Sequence, residues 1–128
     1  MGNLIDLIGR ILISSVFLFS GYNKIFNFIE TSTWMEGFNI PGFLLLPTII
    51  LEIFLPILII IGYRARFAAT LLAIFSVSTG VIFHLDFNSQ MQTVQLLKNF
   101  GLAGGFLFIA AHGPKDWAFD TKKKYVRL

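Results

Sequence analysis

Four long stretches of the 128-residue chain carry no Asp, Glu, Lys or Arg: residues 11–23, 53–63, 67–85 and 99–114. A helix needs about 20 mostly apolar residues to cross a bilayer. A soluble four-helix bundle would show a polar stripe along each helix, and these stretches have none. The sequence therefore predicts an all-α integral membrane four-helix bundle in a single domain, 1–128. The four spans are predicted near residues 7–25, 43–62, 66–85 and 95–112.

The composition excludes several kinds of site. Charged residues make up 13 % of the chain, against roughly 25 % in soluble domains, which argues against an ordinary soluble enzyme. The chain has no cysteine, so disulfides, thiolate zinc sites and iron–sulfur clusters are excluded. The two histidines, His84 and His112, are predicted at opposite ends of the bundle. We therefore expect no metal site and no intrinsic cofactor.

The Lys and Arg residues are distributed unequally between the two predicted sides. Eight lie on the side of the termini: Arg10, Arg64, Arg66, Lys115, Lys122, Lys123, Lys124 and Arg127. Two, Lys24 and Lys98, lie on the other side. Because short loops rich in Lys and Arg stay in the cytoplasm, both termini are predicted to be cytoplasmic and the chain to lie in the cell (inner) membrane. The basic tail 113–128 suits anionic headgroups, so no nucleic-acid partner is expected.

The segments between the spans are short. Ile25–Gly42 is predicted to hold a short interfacial helix beginning at the capping box Thr33-x-x-Glu36. Gly62–Arg66 is predicted to form a tight turn, and Asp86–Thr93 is predicted to form a second outer loop. Small residues four apart predict close helix contacts: Ala69 with Ala73, Ser76 with Gly80, and Gly101 with Gly105.

Glu52 is the only charged residue between Gly37 and Tyr63. A charge near the bilayer centre costs at least roughly 2.5–3.5 kcal/mol and marks a functional candidate. Pro56 removes the N–H that the Glu52 carbonyl would accept, and Pro47 does the same for Phe43. The sequence therefore predicts a bent helix around its one carboxylate.

Three other spans bring basic or polar residues toward the same outer half. On the first span, Lys24 ends a stripe that also holds Arg10, Ser14, Phe17 and Gly21. His84 ends the third span, and Gln95, Lys98 and Asn99 begin the fourth. We predict a polar pocket in which Glu52 and His84 are catalytic.

The expected substrate-binding residues are Lys24, Lys98, Asn99 and Gln95. A direct bond between a lysine and Glu52 requires the second span to start shallower than predicted, or a bridging water. In the alternative interpretation, the lysines reach the headgroups, His84 marks a helix end and Glu52 is a structural partner.

The order of these motifs resembles the DoxX family of small four-span membrane proteins over roughly residues 9–113. The resemblance is carried by Ser20-Gly21-x-x-Lys24, Leu51-Glu52, Arg66-x-Ala-Ala, and Phe83-His84 followed by Lys98-Asn99. The family contains a subunit of a thiosulfate:quinone oxidoreductase, which implies a quinone as substrate and a redox partner subunit.

The sequence and the resemblance leave three function classes. The first is a quinone-linked redox subunit, in which a carboxylate and an imidazole exchange protons with the ring. The second is a non-catalytic accessory or assembly subunit, with a redox partner or a second copy of the chain as neighbour. A small-solute or proton pathway is the third. Whether the chain is itself an enzyme stays open at this point.

Overall fold

The computed structural model describes residues 1–121, and within them the chain forms helices and no strand. The helices are α1 (Gly2–Phe26), α2 (Phe28–Glu36), α3 (Leu45–Ile61), α4 (Ala65–Phe83) and α5 (Gln90–His112), with a 3₁₀ turn at Gly42–Leu44 that leads into α3. Four helical stretches are long and apolar enough to cross a membrane: α1, α3 together with its 3₁₀ turn, α4 and α5. This confirms the predicted all-α bundle with four candidate spans. Of the predicted basic tail, Lys122, Lys123, Lys124 and Arg127 lie outside the described residues.

The helices pack mainly in two pairs, α1 against α3 and α4 against α5, and α3 also contacts α4. The buried residues of α1 are Arg10, Ser14, Phe17 and Gly21, so the predicted stripe is confirmed. Ala69, Ala73, Ser76 and Gly80 of α4 are buried as well. Small side chains at the contacts therefore let these helices approach closely, as they do in membrane bundles.

The two glycines predicted as a contact pair on α5 behave differently. A Cβ on Gly105 would lie 2.6 Å from Ile13 Cδ1 of α1, whereas a Cβ on Gly101 would meet nothing within 4 Å. Gly101 shares an outer face with the exposed Leu97 and Phe108, because these positions lie within about 40° of one another around the helix. The prediction is therefore confirmed for Gly105 and wrong for Gly101.

Both ends of the bundle are closed by short segments. At one end, which we call the α2 end, α2 lies where α1 and α4 finish and α3 and α5 begin. The short helix was expected there, but Thr33 does not start it. Thr33 Oγ1 donates to Ile29 O (2.9 Å) inside α2, because α1 runs into α2 almost without a break at Asn27.

The opposite end is closed by the turn at Gly62–Arg64 and by the segment Pro114–Thr121. Asp120 accepts hydrogen bonds from the N–H groups of Arg64 (2.8 Å) and Ala65 (2.9 Å), and so caps α4 from a distant part of the chain. Arg10 is 1 % exposed. It donates to the carbonyl oxygens of Ile59, Ile60 and Trp117, so it joins α1, the end of α3 and the C-terminal segment.

The apolar core is divided unevenly along the bundle. One cluster, which includes Phe17, Ile59, Leu72 and Phe106, holds α1, α3, α4 and α5 together. A smaller cluster of Met35, Leu45 and Ile49 lies at the α2 end. Phe17 and Met35 both line a cavity, so the bundle contains an internal cavity near its α2 end.

Candidate ligand-binding cavity

The cavity has a volume of about 430 Å³ and is lined by all five helices. Its walls are mainly apolar and include Phe17, Trp34, Phe75 and Phe83. The polar side chains that line it are Ser20, Lys24, Thr31, Thr48, Glu52, Ser78, Thr79, His84, Gln95 and Asn99. A largely apolar cavity of this size with a few convergent polar groups is typical of a small-molecule site.

Lys24 and Glu52 form a direct ion pair in this cavity. Lys24 Nζ donates to Glu52 Oε1 (2.5 Å) and to Ser20 Oγ (2.9 Å). The Glu52 side chain is 3 % exposed and that of Lys24 is 23 % exposed. The pair is therefore largely buried, and no bridging water is needed to join the two residues.

Gly21 explains why the lysine reaches the carboxylate. A Cβ at Gly21 would lie 2.8 Å from Ile53 Cγ1 and 3.4 Å from Glu52 Cβ. The missing side chain therefore lets α1 and α3 come together beside Glu52. Because Lys24 follows Gly21 by three residues, it projects from the same face of α1.

The two prolines of α3 have different consequences. Pro56 is buried inside the helix, and it leaves the Glu52 carbonyl without its usual N–H partner. Pro47 instead falls in the first turn, where backbone N–H groups have no partner within the helix anyway. Phe43 lies in the 3₁₀ turn before α3, so the missing N–H of Pro47 does not interrupt α3 itself.

His84 lines the cavity from the end of α4 and is held by a residue that the sequence analysis missed. His84 Nδ1 lies 2.6 Å from Gln92 Oε1. Ser89 caps α5 by accepting from Gln92 N (3.3 Å). The pattern Ser89-x-x-Gln92 is a capping-box signal that would have identified both the start of α5 and this glutamine.

The residues predicted on α5 divide into two groups. Gln95 and Asn99 line the cavity, and Asn99 Nδ2 lies 3.5 Å from Thr79 Oγ1. Lys98 is exposed and does not line the cavity; it borders a surface groove with Gln90 and Met91, which Gln95 also reaches. Each residue turns the helix by about 100°, so a face centred between residues 95 and 99 leaves residue 98 about 80° away. The prediction of Lys98 in the pocket is wrong for this reason.

Trp34 and Phe83, which line the cavity at its α2 end, form an aromatic cluster with Phe38. Trp34 of α2 stacks on Phe83 of α4 with 4.6 Å between ring centroids. Phe38 packs edge-on against both rings, at 5.1 and 5.0 Å. The contribution of α2 was missed, although Trp34, Met35 and Phe38 recur at helical spacing in the sequence.

The cavity therefore offers an apolar space with polar groups on two walls. The α1–α3 wall holds the Lys24–Glu52 pair, and the α4–α5 wall holds His84 and Asn99. Glu52 and His84 are side chains that can exchange a proton with a bound molecule. Within residues 1–121, no group of three or more His, Asp or Glu residues is placed to hold a metal ion.

Comparison with known proteins gives a consistent result. The sequence pattern of the DoxX family matches residues 5–85. Inner membrane protein YqjF of Escherichia coli (strain K12) is 33 % identical over 114 residues, which is 89 % of this chain and 88 % of that protein. Inner membrane protein YphA of the same organism is 28 % identical over 123 residues, 91 % of this chain and 88 % of that protein. No solved structure matches the chain.

Proposed function

The chain belongs to the DoxX family, and from that premise we propose that it binds a quinone within the inner membrane as part of a quinone-linked redox system. A quinone is an apolar ring, usually with an apolar tail, that carries two polar oxygens. The single observation that supports the proposal best is the cavity itself, which combines aromatic walls with the buried Lys24–Glu52 pair and His84.

The polar groups suit the proton part of quinone chemistry. Reduction of a quinone to a quinol takes up two electrons and two protons, and oxidation releases them. Glu52 and His84 stand on two walls of the cavity, where they exchange these protons with the ring oxygens. In this proposal a partner redox subunit exchanges the electrons. This chain contributes the binding site and the proton-transferring side chains.

The proposed location is the inner membrane, with both termini in the cytoplasm. Two similar proteins are inner membrane proteins by name, and four helices have the length and composition of membrane spans. Arg10, Arg64, Arg66 and Lys115 all belong to the end opposite α2. By the positive-inside rule that end faces the cytoplasm.

A second candidate is an accessory subunit without a substrate of its own. The close contact at Gly21 and the Lys24–Glu52 bond fix α1 against α3, which is what a purely structural pair would do. In this case the bundle is a rigid surface for a partner protein, and the cavity takes up only lipid chains.

Mass spectrometry of the native protein distinguishes the two candidates. The protein is extracted in mild detergent, and its lipid-soluble contents are identified. We expect a quinone to co-purify with the wild type. Ser78→Phe, which adds a ring at the cavity wall, should lose most of it.

Ser15→Phe is the matched control, because Ser15 lies on the exposed face of α1 and does not line the cavity. This variant should retain the quinone. A wild-type protein that carries phospholipid but no quinone, or a Ser78→Phe protein that keeps its quinone, would favour the accessory role.

A further inference from the structure

Glu52 lines the cavity, and one of its carboxylate oxygens is a buried hydrogen-bond acceptor. Glu52 is 2 % exposed. Its Oε1 accepts from Lys24, whereas Oε2 has no hydrogen-bond partner among the described residues. A buried acceptor without a partner lowers stability, and a carboxylate paired with a lysine can accept hydrogen bonds but not donate them. This wall of the cavity therefore favours a ligand that donates a hydrogen.

His84 presents a second acceptor, because Gln92 fixes its tautomer. The Gln92 amide oxygen lies 2.6 Å from His84 Nδ1, and an amide oxygen can only accept. Nδ1 must therefore carry the ring hydrogen. In the neutral ring, Nε2 then has a lone pair and no hydrogen, and it is the nitrogen that remains for a ligand.

Several donors in the cavity already have acceptors within the protein. Lys24 uses two of its three hydrogens on Ser20 and Glu52, and the Thr79 hydroxyl donates to Phe75 O (3.0 Å). Asn99 directs its amide nitrogen toward Thr79. The Gln95 amide and the hydroxyls of Ser20, Thr31 and Ser78 can both donate and accept, so they favour neither kind of ligand.

From this inventory of donors and acceptors we infer that the cavity selects the reduced, dihydroxy form of its ligand, a quinol, over the oxidised dicarbonyl form. One ring hydroxyl donates to Glu52 Oε2 and the other to His84 Nε2. A quinone offers only acceptors, which would leave both protein acceptors unpartnered. The inference rests on the proposed quinone-binding function and adds the redox form of the ligand.

Three probes that share one ring and one short isoprenoid tail test this selection: the hydroquinone, the quinone and the hydroquinone dimethyl ether. Their affinities are measured anaerobically from the increase in the unfolding temperature of the purified protein with probe concentration. We expect the hydroquinone to bind at least about tenfold more tightly than the other two, since each buried acceptor that it satisfies is worth about that much.

Two variants test which residues cause the preference for the hydroquinone. Glu52→Gln, which replaces an acceptor by an amide that also donates, should reduce the preference for the hydroquinone. Gln92→Leu should do the same, because it releases the His84 tautomer. Gln90→Leu is the matched control on the outer face of α5 and should keep the wild-type preference.

A nitrogen NMR spectrum of the His84 ring gives a readout that needs no ligand. In a His112→Gln protein, His84 is the only histidine, and we expect a protonated Nδ1 and a bare Nε2. The opposite tautomer, or a quinone that binds as tightly as the hydroquinone, would overturn the selection of the reduced form while the proposed function stands. If none of the three probes binds, both proposals are wrong.

Discussion

A glycine and a lysine three residues apart account for the central contact of the molecule. Gly21 brings α1 and α3 together, and Lys24 then lies at hydrogen-bond distance from Glu52. The importance of Glu52 was predictable, because a single carboxylate in a long apolar stretch is costly in a membrane. Its partner was not, because helix periodicity gives the direction of Lys24 but not the separation of the two helices.

At this scale we expect Glu52→Gln to keep the fold and Glu52→Leu to destabilise it. The glutamine retains the shape and a hydrogen bond to Lys24. The leucine leaves the largely buried ammonium without a counter-charge, at a cost of roughly 3–5 kcal/mol. Thermal unfolding in detergent measures both. Glu52→Gln should nevertheless abolish quinone-dependent activity that needs a titrating carboxylate.

The double variant Lys24→Met with Glu52→Leu completes a double-mutant cycle and serves as its control. It removes both charges at once, so most of the stability lost in Glu52→Leu should return. If the double variant is as unstable as the two single changes added together, the ion pair does not couple the residues.

At the scale of the helix, α5 shows what the sequence left undetermined. Apolar residues surround this helix on every side, so the pattern gives its length but not which face turns inward. The misplacement of Lys98 and of Gly101 has this one cause. The composition of α1 did define its face, since Arg10, Ser14 and Gly21 mark a single stripe that the structure buries.

The structure shows which face of α5 turns inward, and this allows two glycines on the same helix to be compared. Gly105→Leu should lower the free energy of unfolding by about 1–3 kcal/mol, because the new side chain meets Ile13. Gly101→Leu should change it little, because that position faces outward. Unfolding temperatures of the two purified variants decide the point. Equal destabilisation by both would mean that the assigned phase of α5 is wrong.

At the scale of the whole molecule, the bundle has two ends with different properties. The α2 end contains the cavity and its aromatic cluster. The other end is filled by Arg10 and the C-terminal segment. The sequence predicted four spans and an outer pocket. It did not indicate the C-terminal closure, because Asp120 and Trp117 meet their partners only after the chain has returned past all four long helices.

The orientation of these ends is tested by thiol labelling, for which the cysteine-free chain is well suited. We expect Asn88→Cys, in the α4–α5 loop, to react with a membrane-impermeant reagent in intact cells. A cysteine added after Leu128 should react only after the inner membrane is permeabilised, because the Lys and Arg bias keeps the termini in the cytoplasm. The reverse labelling pattern would invert the topology.

The cap that Asp120 places on α4 has a consequence for the synthesis of the protein. Ala65 leaves the ribosome before Asp120, and the two are separated by 55 positions. At typical elongation rates this interval lasts about 3–10 s. During that time, the first turn of α4 lacks the carboxylate that completes it. The return of the C-terminal segment therefore completes the first turn of α4 only after the helix itself has been synthesised.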